Sequence, residues 1–265
     1  MGIFDKARSG IVARKAYKTY TEAVSLAGKG QPEAAKEKYQ SALGQYAEAV
    51  RLGGQTANTC LSYALLLMRE GDFEKSKAVM QDISRWPNLA DDARFQLRIQ
   101  YSILLWKTGE LDEAIATIRR AAATKMNGAV YSTLGMYLVD KARQTGDFEE
   151  ALAFNEKAMD YDDEDGDILD NMARLNEIMA DAEASNGASA EAAEHRARAK
   201  ALYEKAHERR PRQITTIYDL GRMYQRDGEL DKARALLSGA DRLYYSAVCP
   251  VTREQMEALC REVGV

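Results

Sequence analysis

DLGRMYQRDGELDKARALL, residues 219–237, decides how this chain folds. Leu220, Met223 and Tyr224 fall at i, i+3 and i+4, the spacing of one helix face. Gly221 stands inside that helix, where it costs about 1 kcal/mol relative to alanine. A helix keeps such a residue where the missing side chain lets a neighbour come close. Further on, GELDKA reads as a helix end followed by a new start. Gly228 supplies the left-handed residue after the first helix, and the acids behind it suit the N-terminal dipole of the next.

The same signal recurs. GDFEKS begins at Gly71, GELDEA at Gly109 and GDFEEA at Gly146, with a weaker GQPEAA at Gly30. The glycines are spaced by 41, 38 and 37 residues and then by 82, close to two periods. Upstream stand Tyr63-Ala64, Tyr101-Ser102, Leu134-Gly135 and Leu220-Gly221, each a large apolar residue followed by a small one. Downstream come Ser76, Ala114, Ala151 and Ala233, then Ile83, Ala121, Ala158 and Ala240. Small residues at these places let paired helices approach closely, which makes Gly221 a contact point between helices.

This pattern, a large residue, then L-G-x2-Y, a turn glycine and A-x3-F, resembles the tetratricopeptide repeat, a helix–turn–helix unit of 34 residues. Ile217, Leu220, Gly221, Tyr224, Gly228, Ala233, Leu237 and Ala240 match its positions by type, with Ile217 in place of the large aromatic. The resemblance implies an all-α, right-handed solenoid: one domain over 1–265, of about six helix pairs. Their expected bounds are 11–52, 57–90, 95–127, 128–163, 166–211 and 214–247. The fourth carries an extra turn between Leu138 and Gly146, and the fifth is too long for the standard unit, so both its helices are expected to be extended. Pro32 marks a helix start. Thr252-Arg-Glu-Gln255 has capping-box spacing, so a capping helix over 252–262 is expected to close the open end.

Composition restricts function. At 265 residues, 46% hydrophobic and 29% charged, the chain can bury a sizeable core. The net charge of −4 gives no global basic field for nucleic acid or acidic lipid. There is no apolar run long enough to span a bilayer, and the start lacks an apolar signal region. Lys6 also breaks the myristoylation pattern. Cys60, Cys249 and Cys260 form no CxxC pair, consistent with reduced thiols and a cytoplasmic location.

No chemistry-bearing motif emerges. His195 and His207, twelve residues apart on one helix, point about 120° away from each other and are expected on the surface. DYDDEDGD, 160–167, fails as a calcium loop, because Tyr161 and Met172 stand where acids are required. The basic run HRARAKALYEKAHERRPR, 195–212, alternates with glutamate and lacks aromatic interleaving, so a salt-bridged helix face is the simpler reading. The expectation is therefore a non-enzymatic protein without metal or cofactor, with no nucleic acid bound and no membrane insertion.

The resemblance implies a concave groove lined by the first helix of each pair. Its carried-over positions include Leu61, Leu65, Met68 and Arg69, then Ile99, Ile103, Trp106 and Lys107, then Met136. Tyr20 stands at the equivalent place in the first unit, and Asp170, Arg174, Tyr218 and Arg222 in the last two. The groove thus divides into an apolar part and a charged C-terminal part. The lysine and asparagine by which well-known family members hold a terminal carboxylate are replaced by Tyr20 and Val24, Leu61 and Leu65, or Ile99 and Ile103. An amphipathic helix or extended apolar segment suits such a groove better, with Asp170, Arg174 and Arg222 reading its polar end. The expected function is a scaffold for a protein or peptide ligand. The alternative is a structural protein whose groove is filled by a second copy, as a homodimer, or by its own N-terminal segment with Ile3 and Phe4.

Overall fold

The computed structural model describes residues 3–53 and 56–265. Thirteen α-helices follow one another there, with no strand among the described residues. In order they are α1 (Ile3–Gly28), α2 (Pro32–Arg51), α3 (Ala57–Arg69), α4 (Phe73–Ser84), α5 (Asp91–Lys107), α6 (Leu111–Ala122) and α7 (Gly128–Thr145). Then come α8 (Glu149–Tyr161), α9 (Gly166–Ser185), α10 (Ser189–Arg209), α11 (Ile214–Arg226), α12 (Leu230–Leu237) and α13 (Arg253–Val263).

The turns form for the reasons the sequence gives. Gly71, Gly109, Gly146 and Gly228 all have φ between 73° and 89°, the left-handed region that ends a helix at little cost only in glycine. The residue that follows opens the next helix; Asp72, for example, accepts the Lys75 backbone N–H at 3.1 Å. Pro32 is the first residue of α2, where its missing N–H costs nothing. The small residues are buried at helix contacts: Ser76 Oγ donates to the Ala64 carbonyl at 2.8 Å, and Ala114, Ala151 and Ala233 are all buried. At Gly221 an added Cβ would come within 3.1 Å of Leu237 Cδ2 on the paired helix α12.

The chain sorts into two compact units, and the division falls at the Glu110–Leu111 junction. Unit 1 holds α1 to α5 together with Arg242–Cys249; unit 2 holds Leu111–Asp241 and Pro250–Val265. In unit 1, α1 and α2 form a long hairpin, α3 packs on α2 and α4, and α5 packs on both α3 and α4. Two apolar clusters fill it, one around Tyr39, Tyr46, Tyr63 and Leu67, the other around Leu61, Met68, Met80 and Leu104. In unit 2, α7/α8, α9/α10 and α11/α12 form successive hairpins, and α13 packs on α11 and α12. The pair α9/α10 is extended, at 20 and 21 residues, turning at Gly187 with φ 82°.

Two boundaries differ from those expected. Helix α1 starts at Ile3 rather than near residue 11; the side chains of Ile3 and Phe4, offered above as groove fillers, lie outside the described residues. The sixth repeat does not continue to 247. Helix α12 ends at Leu237, Gly239 takes φ 85°, and a 3₁₀ turn at Ala240–Arg242 leads into non-helical chain. Ser238-Gly239 is a helix stop, and Arg242–Cys249 beyond it belong to unit 1.

Candidate partner-binding site

In unit 1 the first helices of the repeats carry the expected groove side chains at two depths. Leu61, Met68 and Ile99 are buried core residues. Leu65, Ile103 and Trp106 are half-buried, and Leu65 and Ile103 pack against the cluster that contains Leu61 and Met68. Tyr20 is half-buried and lies against Tyr39, with ring centroids 5.9 Å apart.

Val248 packs against that same cluster. It belongs to the strap Arg242–Cys249, which runs along unit 1. The backbone N–H of Ala247 donates to the Arg69 carbonyl at 2.8 Å, which belongs to the last turn of α3 and has no partner within the helix. Lys107 Nζ, at the end of α5, donates to the Cys249 carbonyl at 3.1 Å. Partial burial pushes the Lys107 ammonium below its ordinary value. Tyr244 lies on Tyr39 with centroids 4.7 Å apart, and its hydroxyl donates to Glu70 at 2.7 Å. Burial and that carboxylate raise the Tyr244 phenol well above its usual range. The Arg69 guanidinium stands over both rings, 5.0 Å from the Tyr39 centroid and 5.8 Å from that of Tyr244. A Cβ at Gly71 would make only an ordinary contact with Ala247 Cβ at 3.5 Å, so it is the φ of 89° that calls for glycine there. Thus a segment of the same chain, Arg242–Cys249, packs on the apolar cluster against which Leu65 and Ile103 lie.

In unit 2 the charged positions form a network inside the unit. Asp170 is only 4% exposed and accepts a 2.6 Å bond from the Thr216 hydroxyl. Burial, together with the nearby Asp219 carboxylate, pushes its carboxyl up to about 7. Arg174 pairs with Asp140 at 3.1 Å, its side chain 11% exposed. Asp170 and Arg174, expected to read a partner's polar end, are instead satisfied within the protein. Arg222 is more open: it donates to Glu177 at 2.9 Å and to Asp219 at 3.4 Å, and stands 5.7 Å from the Tyr218 ring centroid. Glu177 also accepts from the Tyr203 hydroxyl at 3.2 Å. A cavity of about 360 Å³ opens beside Arg222, lined by Arg143, Phe148, Glu177, Ile178 and Asp181 among others. Met136 is half-buried on α7 and does not line it.

The charge-rich motifs are spent on one another. Lys205 bridges Asp163 at 3.3 Å and Glu164 at 2.9 Å, Arg209 pairs with Glu164, and Arg210 pairs with Asp165 and Asp167. The acidic loop and the basic end of α10 therefore neutralise each other, and Asp165 caps α9 as well. The histidines are half-buried rather than on the surface: His195 Nδ1 lies 2.9 Å from Asn176 Oδ1, and burial lowers His207 below its ordinary value. Cys60 is buried and its thiol is pushed up to about 11, which leaves it unreactive. Sequence reasoning placed Arg69 and Lys107 in the groove but missed the strap they hold. Its signals were Ser238-Gly239 on one side and Pro250 on the other.

A family model described as tetratricopeptide repeat matches residues 218–238, the α11/α12 turn and its flanks. No curated protein sequence matches the chain. Among solved structures, a monomeric mutant of IFIT1 with Gppp-AAAA superposes with a TM-score of 0.62 at 17% identity, covering 84% of this chain and 49% of that one. The APC/C hetero-tetramer Cut9-Hcn1 gives 0.56 at 12% identity, over 97% of this chain and 46% of that one. PilF of Pseudomonas aeruginosa gives 0.50 at 15% identity, over 93% and 99%. The chain thus spans about half the length of the first two. At these identities the likeness is one of fold. Repeated glycine turns, buried small residues at the helix contacts and these shared folds give the chain an all-α helical-repeat fold, with a tetratricopeptide repeat matched at residues 218–238.

Proposed function

We propose that this chain is a non-enzymatic scaffold that binds a protein or peptide ligand through the groove side of its repeats. One observation carries the reading. Unit 1 already holds a non-helical peptide segment that turns at Ser246–Cys249, with one backbone bond from Ala247 to α3 and one from the side chain of Lys107 to Cys249. Such bonds recognise main chain, and the neighbouring rings and aliphatics recognise side chains, the two kinds of contact by which peptide ligands are read. Nothing in the network around Asp170 presents a paired nucleophile and base, and among the described residues no group of His, Cys, Asp and Glu could hold a metal.

Wild type and Leu65→Asp/Ile103→Asp, immobilised side by side, should test it. Captured proteins are identified, purified and titrated against both chains, while each chain's mass in solution is measured. The expected outcome is a purified partner that binds wild type and loses at least about tenfold in affinity with a folded, monomeric variant, a cost of about 1.4 kcal/mol. The strap favours a second reading, in which the groove serves stability alone. That reading stands if no purified partner binds and the substitutions only lower the melting temperature or alter the oligomeric state.

A further inference from the structure

We propose that Arg242–Cys249 is a built-in occupant of the unit 1 groove, displaced by a partner peptide that is non-helical, turns as Ser246–Cys249 does and carries an aromatic residue four positions before a β-branched aliphatic one. This deepens the scaffold reading and rests on it. Tyr244 and Val248 define the spacing: the first seats on Tyr39 and reaches Glu70, the second packs on the apolar cluster of Leu61 and Met68, against which Leu65 and Ile103 also pack. Between them the Ala247 N–H and, just beyond, the Cys249 carbonyl meet Arg69 and Lys107. A helical ligand spends those backbone groups on its own internal bonds, whereas the strap turns here, the Cys249 N–H donating to the Ser246 carbonyl at 2.9 Å, so the seat fits a turned, non-helical segment.

The strap is built to leave. Of its residues only Leu243 is fully buried; Arg242 and Ala247 are exposed and the rest half-buried. Low burial places a segment at the low-stability end of a protein's local openings. It enters after Gly239 and leaves before Pro250, so neither end continues a helix. Most of its anchors are groups a foreign peptide can supply equally well: a backbone N–H, a backbone carbonyl, a phenol and an isopropyl group. Because the strap is tethered, it competes at high effective concentration, and a partner's apparent affinity falls by the fraction of molecules in which the groove is open.

The test uses the full chain and a fluorescein-labelled synthetic peptide of residues 240–251, with serine in place of its cysteine, followed by fluorescence anisotropy. Two variants loosen the strap: Tyr244→Ser/Val248→Ser, and Ala247→Pro, which deletes the bond to Arg69 at an exposed position and leaves the core untouched. Both are expected to bind the peptide about tenfold or more tighter than wild type, and adding Leu65→Asp/Ile103→Asp is expected to abolish binding. Equal affinity in wild type and both variants, lost with Leu65→Asp/Ile103→Asp, would overturn the strap's role and leave the groove a peptide site. Binding indifferent to Leu65→Asp/Ile103→Asp would place the peptide elsewhere and overturn the proposal. If folded Ala247→Pro binds no peptide, the strap is a fixed structural element. The scaffold reading is then decided by its own partner titration.

Discussion

Two glycines at equivalent places in their repeats, Gly135 and Gly221, have opposite tolerances. A Cβ on Gly221 would press Leu237 Cδ2 at 3.1 Å and its Cγ at 3.3 Å, so that this buried side chain must give by a few tenths of an ångström. The helical gain from alanine, about 1 kcal/mol, then offsets the crowding, and Gly221→Ala is expected to be near neutral. A Cβ on Gly135 would stand 2.5 Å from Asn155 Oδ1. Asn155 is fully buried and its Nδ2 donates to the Ala151 carbonyl at 2.9 Å, so it cannot yield without breaking that bond. Gly135→Ala is expected to cost about 1–3 kcal/mol, read as a lower urea midpoint at unchanged slope. Asp170 offers a second test at this scale. Its carboxyl rises from 3.8 to about 7 on folding, so the folded state holds the proton more tightly. Stability from this group is therefore greatest near pH 4 and falls as pH rises to about 7. Asp170→Asn keeps an acceptor for Thr216 and has nothing to ionise. It should exceed wild type by on the order of 2–4 kcal/mol at pH 8, and the advantage should shrink as pH falls and vanish towards pH 4; an advantage independent of pH would refute this account.

At the scale of the element, the capping helix shows what a sequence states outright. Thr252 accepts the Gln255 backbone N–H at 3.2 Å, and Gln255 Oε1 accepts the Thr252 N–H at 2.8 Å. Thr252→Ala removes the first bond and is expected to cost about 1 kcal/mol in thermal or urea unfolding. Gln255→Ala removes the other and should act on the same helix end. Turns, caps and small-residue contacts were legible because each is decided within a few residues, by a left-handed φ, a side-chain oxygen or a missing Cβ. The strap was not, because its seat lies far away in the chain: Ala247 bonds to Arg69, and Tyr244 meets Tyr39. Leu237 and Ala240 continue the repeat's small and large pattern past its end, and only Ser238-Gly239 between them says stop. The charged half misled for a related reason. Asp170, Arg174 and Arg222 sit on the expected faces, but partners from α7, α9 and α11 consume most of their bonding capacity.

For the whole molecule, the two units present different physics to a ligand. The unit 1 strap contacts are mainly aromatic, aliphatic and hydrogen-bonded; its charged groups are Glu70, which accepts from a neutral phenol, Arg69 over the Tyr244 ring and Lys107 on a backbone carbonyl, none of them paired with an opposite charge on the strap. The cavity in unit 2 is bordered by Arg143 and Arg222 on one hand and Glu177 and Asp181 on the other. Exposed charges lose most of their reach once the Debye length falls from about 10 Å at 0.1 M salt to a few ångströms near 1 M. Salt therefore tells which unit a ligand uses. The 240–251 peptide bound to Ala247→Pro should change affinity by less than about threefold between 0.05 and 0.5 M sodium chloride, since its seat relies on apolar burial that salt does not screen. A ligand held by the Arg143 and Arg222 side chains should weaken steeply over the same range, and Arg222→Ala should flatten that dependence. A steep salt dependence for the strap peptide would mean that charge, rather than the rings and aliphatics of unit 1, holds it.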